Sequence, residues 1–139
     1  MCLSIAIKRP DYVLATGEHL GYEWNIVHNG MGYRCGYVRV PIGHPWHGKG
    51  YDEVDVDCHG DLTFAAADEP CDKAGEDNAW WVGFDCGHAG DAPDPELPGA
   101  SRSLIPAVLA LGRLYGEVRS QEYVEDQCRS ICEQAAAAA

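Results

Sequence analysis

Three short clusters hold most of the side chains in this chain that can ligate a metal, move a proton or attack a carbonyl. They read GHPWHG (43–48), DVDCHGD (55–61) and WWVGFDCGHAGD (80–91). Each sets His beside Gly, and two of them add Cys and Asp. Cys58, His59, Cys86 and His88 offer the thiolate and imidazole ligands that zinc takes in a tetrahedral site. The spacings C-H and C-x-H are not the C-x2-C pairs that mark zinc sites in a sequence. Two buried thiols and two histidines bonded to loop backbone account for the same residues. His44 and His47 flank Pro45-Trp46, and Pro45 keeps His44 out of a helix. A loop made rigid by Pro41, Pro45 and Trp46 explains that pair without a ligand. Asp55, Asp57, Asp61, Asp85 and Asp91 offer a hard-metal or acid/base set, though without the glycine and closing Glu of an EF-hand. On a strand over 53–58, Asp55 and Asp57 would share one face, and on a buried face they would need a cation. Cys86 with His59 could form a thiol–imidazole pair, but no third group orients it. Cys2 would be a nucleophile only as a free N-terminal residue.

These clusters need a scaffold, and the flanking pattern is that of strands. Residues 3–7 and 12–15 are short apolar runs, either a hairpin or one strand with a loop. Residues 22–28 (YEWNIVH) and 33–40 (YRCGYVRV) are rich in aromatic and β-branched residues and flank Asn29-Gly30, which predicts an antiparallel hairpin. Tyr33, Cys35 and Tyr37 should face one way, and Arg34, Val38 and Val40 the other. Residues 53–58 alternate acids with valines, His59-Gly60-Asp61 reads as a turn, and 62–66 returns, which predicts a second hairpin. Residues 67–78 read as a polar loop, Trp80 to Cys86 as an inner strand, and 87–101 as an ordered surface loop. Trp80 and Trp81 fall on opposite sides of their strand, most simply as core or helix contacts. The period then changes. Leu104, Val108, Leu111 and Tyr115 predict a helix over 103–115, stopped by Gly116. Ser120 caps a second helix over 120–134, with Glu122 in its first turn and a stripe of Val124, Cys128, Ile131 and Ala135. The closing run 135–139 is five alanines, which carry no functional group. Strands first and helices last predict an α+β domain: an antiparallel β-sheet built from hairpins with one or two C-terminal helices packed on it.

Composition narrows the partners. The 139 residues suggest a single domain, 1–139. Ten basic against 22 acidic residues give a net charge of −12. That disfavours nucleic acid and anionic membranes, which need clustered Lys and Arg, and favours basic partners. No stretch approaches the ~18 apolar residues of a membrane span, and no basic region precedes the first apolar run as in a signal peptide. Seven cysteines in such a chain read as reduced thiols, so Cys128 and Cys132, i and i+4 on a helix, are expected to be unbridged.

The stretches GYVRVPIGHPWHGKGYDEVDVDCHGDLTFAA, WWVGFDCGHAGD and VRSQEYVEDQCRSICEQ together resemble a family of small uncharacterised phage and prophage proteins. The family pattern runs GYVxVPxGHPxYG, then VxxHGGLTY, then WWIGFDCxHxGD, then a closing helix. The resemblance covers about two thirds of the chain and preserves the order of motifs. It departs at His47, where Tyr is usual, which argues against an essential role for His47, and at Asp61, where Gly is usual, which argues against Asp61 as a ligand. By analogy with other small phage accessory proteins it implies action by binding, inhibiting a host protein or sequestering a small molecule in the host cytoplasm.

The expected site is therefore a ligand-binding one, built from His44, Trp46, Tyr51, His59, Asp85 and His88. No cofactor is expected, with zinc on Cys58, His59, Cys86 and His88 as the alternative. The rival functions are a metal-dependent or thiol hydrolase using Asp57, His59, Asp85, Cys86 and His88, and an acidic interaction module without a small-molecule site. Self-association stays open.

Overall fold

The computed structural model describes residues 10–67, 79–100 and 116–139. The readings made for 3–7, for Cys2 and for a helix over 103–115 lie outside these residues.

Aromatic and β-branched side chains alternate along 22–28 and 34–40, and alternation on a pleated strand buries both faces of an inner strand. Strand β2 (Tyr22–His28) pairs antiparallel with β3 (Arg34–Val40), as expected. The link is wider than a two-residue turn. Asn29 N–H donates to Tyr33 O, and the Asn29 side chain accepts from Met31 N–H and Tyr33 N–H, so one asparagine organises the loop. A second hairpin precedes it. Strand β1 (Val13–His19) pairs with β2 across Leu20-Gly21, both at positive φ (53° and 86°). This is the backbone hand that matches strand twist, and Leu in that position hides the turn from sequence.

Strand β5 (Trp80–Asp85) lies between β3 and the edge strand β4 (Phe64–Ala67), giving the sheet order β1-β2-β3-β5-β4, antiparallel throughout. The C-terminal helix α1 (Gln121–Ala138) crosses one face over β2 and β3. Ser120 Oγ accepts from Tyr123 N–H, the expected N-cap. Val124, Cys128, Ile131 and Ala135 are fully buried, joined by Cys132. They pack on Trp24, Ile26, Val38, Val40, Val82 and Phe84. The opposite face carries Val27, Cys35, Tyr37 and Trp81, so Cys35 and Tyr37 do face away from Val38 and Val40. The two tryptophans also split, Trp80 against the helix side and Trp81 buried on the other. The architecture is α+β.

The expected second hairpin is not there. Residues 53–63 form no strand, and 53–58 does not pair with 80–86. The alternating acids and valines reflect a different arrangement. Val54 and Leu62 sink into the helix-side core with Trp46, while helix glutamines supply the hydrogen bonds a neighbouring strand would give. Gln134 Oε1 accepts from Asp57 N–H at 2.8 Å and Gln134 Nε2 donates to Asp57 O at 2.8 Å. Gln127 Oε1 accepts from His59 N–H at 2.8 Å. Backbone polar groups must be paired when covered, and here side chains do it. Asp55 and Asp57 therefore do not stand on one face of a strand.

Beyond β5, the surface loop contains a short strand β6 (Asp91–Ala92), which pairs in parallel with β7 (Glu117–Val118). Arg34 fixes this layer to the sheet. Its guanidinium donates to Asp94 Oδ2 at 2.9 Å, to Arg119 O at 2.9 Å and to Gln121 Oε1 at 3.1 Å.

Candidate functional site

Three segments converge on Asp91: the 57–61 loop held on α1 by Gln127 and Gln134, the 85–91 loop after β5, and the stretch from β7 into the first turn of α1. The β6–β7 pairing sets Arg119 beside Asp91, and the Ser120 cap fixes Tyr123. Asp91 is the hub, with its side chain 1% exposed. Its Oδ1 accepts from Arg119 Nε at 2.7 Å. Its Oδ2 accepts from His59 Nε2 at 2.9 Å and from His88 N–H at 3.0 Å. A carboxylate can only accept, so His59 Nε2 carries the hydrogen. In the neutral ring His59 Nδ1 then accepts from Tyr123 Oη at 2.8 Å. The result is a chain Tyr123–His59–Asp91–Arg119.

Burial pushes the Asp91 pKa up, but hydrogen bonds from His59, Arg119 and His88 N–H, together with the His59 charge, outweigh it and hold Asp91 below the usual carboxylate range. Tyr123 goes the other way. Burial raises its phenol pKa, against the pull of Arg119, whose guanidinium lies 5.4 Å from the ring centroid.

His88 sits beside His59 with ring centroids 5.7 Å apart. Its Nδ1 is 3.5 Å from Asp91 Oδ2 and 3.6 Å from Asp85 Oδ1. It is a buried atom with no hydrogen-bond partner. Gly60 lies flat against this ring, and any Cβ there would fall on the imidazole. Asp85 is tied to Gly87 N–H and Thr63 Oγ1 at the rim. Next to the hub, Asp57, Cys58, His59, Tyr123, Gln127 and Ser130 line an open depression of about 290 Å³.

Of the residues singled out from sequence, His59 and His88 meet, with Asp85 at their edge. His44, Trp46 and Tyr51 do not join them. His44 is buried; its Nδ1 accepts from Trp46 N–H and its Nε2 donates to Ala135 O at 2.9 Å. It ties the 41–50 loop to the far end of α1. Trp46 is core. Tyr51 is exposed and lines a second depression of about 380 Å³ with Val54, Asp55, Asp61 and Leu62. Among the described residues, the group able to hold a metal is His59, His88 and Asp91, with one ligand atom from each within 4.8 Å of the others. Cys58 and Cys86 stand outside it. Burial, reinforced by nearby carboxylates, pushes the Cys58 thiol up to about 12 and the Cys86 thiol further, so both stay protonated and poor as nucleophiles. Cys128 and Cys132 are free thiols.

Sequence reasoning underweighted Asp91 and missed Arg119 and Tyr123. The H-x-x-D spacing of His88 and Asp91 was the available signal. Arg119 and Tyr123 arrive through the parallel β6–β7 contact, which two-residue strands do not announce. No protein-family model, no curated protein and no solved structure matches this chain.

Proposed function

We propose that this chain is a small accessory protein of phage or prophage type that acts by binding, and that its contact surface is the Asp91-centred cluster with the depression beside it. The observation that carries this reading is the way Asp91 holds His59, His88 and Arg119 from three separate segments next to an open polar surface. Such a preorganised polar cluster on loops is where recognition is usually built. The thiols, all raised in pKa where described, argue against the thiol-hydrolase alternative. The net charge of −12 suits a basic partner or a cationic ligand, in the cytoplasm of a host cell. No helix among the described residues is long and apolar enough to cross a membrane.

The test is crosslinked capture from host cells with three forms of the chain: wild type, His88→Ala and Tyr51→Ala. One host component held by wild type and by Tyr51→Ala but lost in His88→Ala supports the reading. A complex lost in Tyr51→Ala and kept in His88→Ala moves the site to the second depression and overturns it. The His59–His88–Asp91 group favours a second reading, a metal-dependent hydrolase, which would instead show turnover that disappears on chelation.

A further inference from the structure

We infer that His59, His88 and Asp91 form a binding site for a divalent transition-metal ion of the zinc class, an inference that rests on taking this cluster as the functional surface. Four observations carry it.

The donor set is two imidazoles and one carboxylate, with one ligand atom from each within 4.8 Å of the others. Nitrogen and oxygen donors in that ratio suit zinc and its first-row neighbours. Calcium and magnesium take oxygen almost alone. With bonds of about 2.0–2.1 Å, the ligand atoms of a tetrahedral site stand roughly 3.3 Å apart. The two edges meeting at Asp91 Oδ2 are 2.9 and 3.5 Å, on either side of that figure, and the third, between the two imidazoles, is within 4.8 Å.

His88 Nδ1 is the second observation. It is buried, faces the same carboxylate oxygen as His59, and has no hydrogen-bond partner. A buried polar atom left unpaired costs about 1–3 kcal/mol, and a cation here removes that cost.

The third is the outer shell. A metal-ligating His usually donates its other ring N–H to a fixed partner. With Nε2 on the metal, the His59 proton sits on Nδ1, facing Tyr123 Oη at 2.8 Å, and the phenol hydrogen turns to the open depression. No proton is gained or lost. Arg119 on Oδ1 leaves Oδ2 aimed at the two rings.

The fourth is space. Gly60 is at φ 65° with its missing side chain against the His88 ring. The backbone there is shaped around the position of that imidazole. Three protein ligands leave a coordination position open, so the ion could also take an oxygen or nitrogen of a bound ligand.

The experiment is a competitive zinc titration of the metal-stripped protein against a chromophoric chelator, with cobalt(II) absorption as the spectroscopic readout. The expected result is one zinc per chain and a tetrahedral cobalt spectrum free of thiolate charge transfer. His88→Ala, which breaks no hydrogen bond of the ring, should weaken zinc binding by roughly 100-fold or more, and Tyr123→Phe by about 10-fold. Cys58→Ser should bind as wild type does. Absence of stoichiometric zinc, equal affinity in wild type and His88→Ala, or a thiolate band lost in Cys58→Ser each overturns the assignment. Zinc binding with no effect of His88→Ala on host capture leaves this site standing and sinks the binding reading. Loss of capture in His88→Ala without zinc binding does the reverse.

Discussion

In the metal-free protein, His59→Ala and His88→Ala should differ sharply in stability although the two rings touch. His59 is 11% exposed in its side chain and makes two side-chain hydrogen bonds, one to an ionised carboxylate. A charge-assisted bond contributes about 1.5–3 kcal/mol and a neutral one about 0.5–1.5. Removing the ring strands neither partner fully. Asp91 keeps Arg119 and His88 N–H, and Tyr123 can turn to water through the depression it lines. The loss therefore falls at the low end, about 2 kcal/mol. For a chain of this length ~3 °C of Tm accompanies each kcal/mol, so His59→Ala should melt roughly 6 °C below wild type. His88 is 33% exposed in its side chain, and its buried Nδ1 is unpaired. Deleting that ring loses its packing on Gly60 and its contacts at 3.5 and 3.6 Å with two carboxylates but also removes the unpaired buried atom, so the net cost should stay below about 1 kcal/mol. Scanning calorimetry of chelator-treated wild type and both variants reads the difference. Equal drops, or a larger drop in His88→Ala, would refute the assignment of His59 as the bonded ring and His88 as the unpaired one.

Three further outcomes follow from the same geometry. Asp91 has a folded pKa below its ordinary 3.8, so its contribution to stability is complete above that value and lost as pH falls through the folded pKa; the stability gap between wild type and Asp91→Asn, measured by urea denaturation, should close progressively below about pH 3.8. Gly60→Ala meets both a φ of 65° and the His88 ring, so it should destabilise by more than about 1 kcal/mol and abolish zinc binding, while an unchanged melting curve would remove the packing argument. His44→Ala should lose about 1–3 kcal/mol by unpairing the buried Trp46 N–H, while Ala135 O keeps the Ala139 N–H, yet bind zinc as wild type does, which the chelator titration checks.

Much of this fold was legible in the residues. Aromatic and β-branched runs gave away 22–28, 34–40 and 80–85, because such side chains fill both faces of an inner strand. Ser120 and the period of Val124, Cys128, Ile131 and Ala135 announced the helix and the face it buries. Residues 53–58 misled, because alternation of valine with acid records which side of the backbone is buried and not what the backbone pairs with. In this chain Gln127 and Gln134 of the helix take the place of a strand. The β1–β2 turn was hidden by Leu20, a residue seldom found at positive φ.

The site was legible only in part. Matched strand ends do not bring His59 and His88 together. They meet because the 57–61 backbone is docked on helix glutamines while the 85–91 loop folds over it. His44 and Trp46 look chemically rich in sequence but serve the join between loop and helix end. Arg119 and Tyr123 contribute through contacts some 30 residues distant in the chain from the carboxylate they serve, a separation that no local spacing encodes.

The central claim is that His59, His88 and Asp91 are one binding centre. Diffraction from crystals grown with one equivalent of zinc, with anomalous differences recorded on either side of the zinc absorption edge, tests it most directly. A single strong peak is expected about 2.0–2.2 Å from His59 Nε2, His88 Nδ1 and Asp91 Oδ2, with Tyr123 Oη still on His59 Nδ1. A peak on Cys58 or Cys86, a peak at the second depression by Tyr51, or no ordered peak would contradict it.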